Sequence, residues 1–402
     1  MNDFQENFTN KIFRSATFEG MADSNGFPTD EYRKYYKKLA ENEVKNIITG
    51  FTYISQEGRA IHPRQAGIDS DEKIPYFQKI TDCVHKFDSK IYLQIAHTGR
   101  QTSEQITKKK VVGVSNKKSN YFGSKPKQLS TNEIYSVIES FTNAAKRAKL
   151  AGFDGIQLHA AHGYLIHQFL HPYINNRNDE FGINNQTGIG DYFLRKTILS
   201  IRKKCGQEFP ILIKISASDN LPKQFTINNF ISLIKVLDEL KISKIEISYG
   251  TMENALNIFR GKSIPYDVIL KHNFHYKTNS ILKKKLWKIF ATPFLKHKAI
   301  PFSEMYNLKY AKIAKKITDI PIICVGGFRS GDEIKKAIIS GNTDFVSLCR
   351  PFICEHDFVK KLAKNSSYIS NCCDCNICAI MCDSKNSTRC YFTYQRKRIA
   401  TD

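Results

Sequence analysis

Two imidazoles and a phenol fall within six residues, in His159-Ala160-Ala161-His162-Gly163-Tyr164. The preceding run, Gly152-Phe153-Asp154-Gly155-Ile156-Gln157-Leu158, reads as a short buried strand. The three side chains therefore sit just past a strand's C-terminal end, the edge at which β/α barrels do their chemistry. Two histidines can donate hydrogen bonds to one oxyanion, and a tyrosine beside them can deliver a proton. That is the set needed to reduce a double bond conjugated to a carbonyl. Taken alone, the pattern fits two core histidines and a packing tyrosine equally well.

Other polar residues stand where apolar ones would be ordinary. Gln94 lies inside Tyr92-Leu93-Gln94-Ile95-Ala96. A buried amide left unpaired costs about 1–3 kcal/mol, so it needs partners. A pyrimidine-like ring edge would satisfy both its donor and its acceptor. Lys214 lies inside Ile211-Leu212-Ile213-Lys214-Ile215. A buried lysine needs an anionic neighbour, which could be the N1/O2 edge of a flavin or a core carboxylate. Near the start, Ser15-Ala16-Thr17 ends a strand-like run in small residues, which either let a flat ring approach the backbone or mark a turn. Gly326-Gly327 and Cys349-Arg350 follow two later strand candidates. Backbone N–H groups freed by glycines, with a fixed guanidinium, suit a phosphate at the strand-seven and strand-eight loops of a barrel.

Eight strand candidates position these residues: 11–17, 46–55, 90–97, 153–159, 209–217, 244–249, 320–326 and 345–350. Amphipathic stretches alternate with them, which implies a parallel sheet, and eight repeats imply a TIM (β/α)8 barrel. Ser130-Thr131-Asn132-Glu133 is a capping box before a helical face over 134–150, and Ser330-Gly331-Asp332-Glu333 likewise opens 334–339. Polar, turn-rich 101–129 reads as a flap over the barrel mouth after strand three. Lys-rich 251–308, which holds Trp287, reads as a helical insertion after strand six. The expected organisation is a barrel over 1–365 and a Cys-rich extension over 366–402 packed on it.

The chain has 402 residues and a net charge of +23. The lysines are dispersed and no nucleic-acid-binding motif accompanies them, so nucleic acid is not expected as a partner. No apolar run is long enough to span a membrane, and Met1–Glu6 lacks the features of a signal peptide. A cytoplasmic location without membrane contact is the expectation. Six of the 11 cysteines crowd between Cys372 and Cys390, which argues for a metal or cluster rather than disulfides.

With these motifs together, the sequence resembles the old yellow enzyme family of FMN-dependent oxidoreductases. The resemblance runs from about Lys11 to Cys390. It rests most on His159-Ala-Ala-His162-Gly-Tyr164, with Gln94-Ile-Ala-His97-Thr-Gly-Arg100, Asn175-Asn-Arg177-Asn-Asp179-Glu-Phe-Gly182 and Ile215-Ser-Ala-Ser-Asp219 beside it. It implies FMN at the barrel mouth. Ser15, Ala16, Thr17, Phe51 and Gln94 would contact its ring, the first three and Phe51 largely through backbone. Lys214 would lie near N1, and Gly326, Gly327, Cys349 and Arg350 would hold its phosphate. His159 and His162 would grip a substrate carbonyl, and Tyr164 would be the proton donor. NADH or NADPH would be the reductant, and an activated C=C bond in a small molecule the substrate. Many members have Arg at Lys214, and Phe18 stands where some carry a potential-tuning Cys or Thr.

Cys372-x2-Cys375-x2-Cys378 followed by Cys390 can ligate a [4Fe–4S] cube, with Cys373 and Cys382 offering other registers; zinc, which usually draws on two separated pairs, and a tail of free thiols are the alternatives. The arrangement is similar to trimethylamine dehydrogenase, 2,4-dienoyl-CoA reductase and 2-enoate reductases, which continue into further domains where this sequence stops at Asp402. A cluster would open a second mode, single electrons passing to an acidic protein carrier that the +23 charge suits. A non-redox phosphate-binding barrel, an aldolase or isomerase, is the alternative of another class. Homo-oligomerisation is left open.

Overall fold

The structure is a computed structural model, and residues 8–273 and 275–392 are described. Met1–Glu6, read above for a leader, and residues 393–402 of the Cys-rich extension lie outside them. Eight parallel strands close on one another: β1 (Ile12–Arg14), β2 (Asn46–Ile48), β3 (Lys90–Ala96), β4 (Gly155–Ala160), β5 (Ile211–Ser216), β6 (Lys244–Ser248), β7 (Ile322–Val325) and β8 (Phe345–Leu348). Neighbours follow chain order, and β8 returns to β1 with Ile12 opposite Val346. This is a TIM barrel, as the eight Ile- and Val-rich runs predict. One run differs. Residues 46–55 form β2 and then, after a break, Thr52–Tyr53, which pairs with the end of β3. The break carries Phe51 to the mouth.

The two-residue period of the strands explains the barrel interior. Phe13, Ile48, Tyr92, Leu212 and Ile323 form an apolar plug. Two residues on, the same strands turn polar groups inward: Ser15 after Phe13, Gln94 after Tyr92, Lys214 after Leu212. The barrel is therefore oily below and polar towards its C-terminal face. Outside, helices bury Ile, Leu and Phe against the strands. Thr131–Leu150 packs on Tyr192–Cys205 through Phe141 and Phe193, ring centroids 6.2 Å apart. The capping boxes at Ser130 and Ser330 form with both reciprocal bonds.

The flap and the insertion roof the mouth together. The flap contains the helix Glu104–Thr107 and a two-stranded pair, Val112–Gly113 with Lys127–Gln128. Asn273 of the insertion donates to the Tyr121 hydroxyl of the flap at 2.9 Å. The Asn120 N–H of the flap donates to Glu253 Oε2 of the insertion at 3.0 Å, a second latch between them, and Arg100 Nη2, just before the flap, lies 2.6 Å from Glu253. The insertion holds the helices Tyr266–His272 and Ile281–Lys298. Among the described residues no helix is long and apolar enough to cross a membrane.

Candidate active site

The turn after β4 sets the site. His162 has φ 61° and Gly163 φ 79°, two consecutive left-handed residues. That conformation costs a residue with a Cβ roughly 1–2 kcal/mol, and local bonds hold it here. The His162 N–H donates to Ser216 Oγ at 3.0 Å, and the Met252 N–H donates to His162 O at 2.9 Å. A Cβ on Gly163 would also lie 2.7 Å from Gln101 Nε2, so the position requires glycine. The turn brings His159, His162 and Tyr164 onto the wall of one cavity of about 320 Å³. The His159 ring centroid lies 5.0 Å from that of His162 and 4.7 Å from that of Tyr164. Phe51 packs edge-on against Tyr164 at 5.7 Å.

Burial, then the Lys214 charge, holds the His159 pKa well below its ordinary value. Burial, then His159, does the same to His162. Both rings are neutral, so each carries a single N–H. His162 Nε2 lies 2.8 Å from Ser248 Oγ. His159 is 4% exposed and its Nδ1 has no hydrogen-bond partner among the described residues. Burial, and secondarily Cys382, pushes the Tyr164 phenol up, which keeps it protonated.

Under the cavity runs a buried relay. Gln94 Nε2 donates to Gln157 Oε1 at 2.7 Å, and Gln157 Nε2 donates to Glu246 Oε2 at 2.8 Å. Glu246 Oε1 accepts from Ser15 Oγ at 2.5 Å and Ser347 Oγ at 2.7 Å, and lies 3.3 Å from Lys214 Nζ. Lys214 also donates to Ser15 Oγ at 2.9 Å. Burial alone would raise the Glu246 carboxyl. Lys214 and the three donors outweigh it, so its pKa lies below the ordinary value. Lys214 thus has the core carboxylate that was one of its two sequence readings, while it also lines the cavity. Gln94, Ala16, Thr17 and Phe51 line the cavity as well. The Ser15 hydroxyl is spent beneath it, on Glu246 and Lys214. Glu246 escaped the sequence reading, although a glutamate inside Lys244-Ile-Glu246-Ile-Ser248 carries the same signal as Lys214.

Gly326, Gly327, Cys349 and Arg350 line the far end of the same cavity. Gly326 and Gly327 have φ 119° and 84°, and a Cβ on Gly326 would meet the Tyr306 ring at 2.4 Å. Arg350 Nη1 donates to Asn376 Oδ1 at 2.8 Å and lies 3.3 Å from Asp374 Oδ1. Arg329 Nε donates to the same Asp374 oxygen at 2.9 Å. Arg260 lies between the rings of Tyr249 and Tyr306, at 4.7 and 4.2 Å. Neither Arg260 nor Arg329 was read from the sequence.

Asp374 and Asn376 belong to the Cys-rich loop. Cys378 and Cys382 reach the cavity wall. Burial, reinforced by the neighbouring thiols of Cys373 and Cys372 and opposed by the backbone N–H of Ile377, raises the Cys375 pKa to about 11. Among the described residues no three Cys, His, Asp or Glu side chains gather as a ready metal site. An iron–sulfur cube on Cys372, Cys375, Cys378 and Cys390 would have to draw these thiols together.

The family model described as the NADH:flavin oxidoreductase / NADH oxidase family matches residues 5–289. An NADH oxidase of Thermoanaerobacter brockii is 28% identical over 370 residues, which cover 92% of this chain and 51% of that protein. An NADPH dehydrogenase of a Geobacillus species is 30% identical over 253 residues, 62% of this chain and 72% of that one. The solved old yellow enzyme homologue of Zymomonas mobilis superposes with a TM-score of 0.66 at 22% identity, covering 90% of both chains, and shares the fold. The chain spans about half the length of the Thermoanaerobacter protein.

Proposed function

This chain belongs to the NADH:flavin oxidoreductase / NADH oxidase family, and we propose that it is an FMN-dependent NAD(P)H oxidoreductase that reduces a C=C bond conjugated to a carbonyl. The observation that carries the reading is the meeting of His159, His162 and Tyr164 in the cavity that Gln94, Lys214 and Arg350 also line.

The residues present fit FMN. The polar floor of Gln94 and Lys214 suits a flavin's pyrimidine edge, and the Gly326-Gly327 and Arg350 end suits its phosphate. FMN, when bound, supplies the hydride that a nicotinamide first delivers and an unsaturated carbonyl compound then takes. The chain's own part is positioning and proton transfer. His159 and His162, neutral, donate N–H groups to the substrate oxygen and favour negative charge there. Tyr164, kept protonated by burial, gives its proton to the substrate α-carbon. The flap and insertion contribute Tyr121, Phe122 and Met252 to the cavity wall, and whatever water they keep out strengthens each of these interactions. The non-redox barrel reading falls with family membership.

A second reading is an iron–sulfur flavoprotein dehydrogenase that hands single electrons to an acidic protein carrier. It is favoured by the place of Cys378 and Cys382 on the same cavity wall as Tyr164.

Anaerobic purification with an absorbance spectrum tests the proposal. A yellow protein bleached by NADH or NADPH and restored by a small enone supports it. A colourless protein that does not take up FMN sinks it.

A further inference from the structure

The helix Ile281–Lys298 carries Ile281, Leu282, Leu286, Ile289 and Phe290, which are 73, 67, 45, 62 and 72% exposed. Leu282, Leu286, Ile289 and Phe290 follow the i, i+4, i+7, i+8 spacing of one helical face. The apolar stripe of this helix therefore points to solvent. Single exposed apolar side chains are ordinary, but a contiguous ridge of them marks an interaction surface. Lys283 and Lys285 flank the ridge, Lys284 and Lys288 lie on the opposite side, where Lys288 pairs with Asp267 at 2.8 Å, and the helix contains no acidic residue. At its other end, Leu295 and the following Ala299 line the active-site cavity.

We propose that this helix docks the protein on an anionic lipid bilayer, lying in the interfacial plane beside the cavity mouth. Leu282, Leu286, Ile289 and Phe290 enter the acyl boundary while the lysines stay at the level of the lipid phosphates, the arrangement of basic amphipathic surface helices. Charge complementarity selects this occupant. The charged residues of the helix are all cationic on a chain of net charge +23, and its ridge side chains are exposed to solvent, so they can enter a bilayer without a matching groove. That no helix among the described residues is long and apolar enough to cross a membrane does not bear on a helix that lies on the surface. The docking stands independently of the flavin reading.

Flotation of the full-length protein with vesicles tests it. Vesicles of phosphatidylcholine with one-third phosphatidylglycerol should carry the protein upward, pure phosphatidylcholine should not, and high salt should release it. The Leu282→Glu, Ile289→Glu, Phe290→Glu variant should lose roughly tenfold or more of the bound fraction. Its circular dichroism and thermal midpoint should be unchanged, since all three side chains face solvent. Should that variant fail to fold, Lys283→Glu with Lys285→Glu leaves the ridge intact and should show the same loss. Equal binding to both lipid mixtures, wild-type binding by the variants, or no binding at all overturns the proposal. So does a wild-type dimer that the ridge variant turns into a monomer, which would assign the stripe to a second copy of the chain.

Discussion

Lys214 Nζ and Glu246 Oε1 stand 3.3 Å apart beneath the cavity, with both side chains almost wholly buried. The carboxylate does more than neutralise the lysine. As a pure acceptor it forces the Gln157 amide to present its NH2, which leaves Oε1 to take a hydrogen from Gln94. Glu246 thereby fixes which way the Gln94 amide faces at the cavity floor.

Glu246→Leu should be strongly destabilising, by about 3–5 kcal/mol, because it strands a buried ammonium. Adding Lys214→Met should recover much of that loss, since removing both charges leaves none unpaired. Chemical denaturation of the two variants measures it. A Glu246→Leu protein as stable as wild type would show that the pair carries none of this weight.

Tyr164→Phe should slow reoxidation of the reduced protein by an enone about 10²–10⁴-fold and spare its reduction by NADPH. Stopped-flow absorbance separates the two halves. Equal loss in both would remove the phenol from the role of proton donor.

Acid should weaken the fold through two buried histidines. The Gly99 N–H donates to His97 Nδ1, and the Gly163 N–H donates to His167 Nδ1. Protonating either ring destroys that acceptor. Burial pushes the folded pKa of His97 down to about 4 and that of His167 down to about 3. Both lie below the ordinary histidine value, so the stabilisation is complete above about pH 6.5 and is lost as pH falls towards those values. Each ring removes about 1.4 kcal/mol per pH unit in that window. Denaturation midpoints at pH 7 and pH 5 should differ accordingly, and His97→Gln should flatten the slope. A slope unaffected by that change would clear His97 of the effect.

Iron and sulfide analysis of anaerobically purified protein decides the role of the cysteine loop. About four irons per chain is the expected count for a cube. Cys375→Ser should abolish it. Less than one iron per chain in the unaltered protein would leave the four cysteines as ordinary thiols.

The barrel was legible because each strand is a short Ile- and Val-rich run and the helices between carry capping boxes. The grouping of His159, His162 and Tyr164 was legible because it is contiguous, so that one turn delivers all three side chains. The relay was only half legible. Lys214 and Gln94 announce themselves as polar residues in apolar strands, but their partners lie far along the chain. Gln157 and Glu246 are 89 residues apart, and only barrel closure joins them. The break at Gly50–Phe51 was missed because Ile and Tyr continue the strand pattern on both sides of it. Of the motifs that carried the family resemblance, part is architectural. Asn175 Nδ2 donates to the carbonyls of Phe169 and Phe181 and locks its own loop, and Asp219 lies 2.9 Å from His171.

Asp374 sits between two cysteines in sequence and between two arginines in space. Whatever perturbs the thiols, oxidation included, is passed through Asp374 to Arg329 and Arg350, and an anion held by Arg350 would steady the loop in return. The cysteine loop and the arginine end of the cavity thus share one carboxylate, and if FMN binds as proposed, chemical ageing of the loop would be felt first at its phosphate.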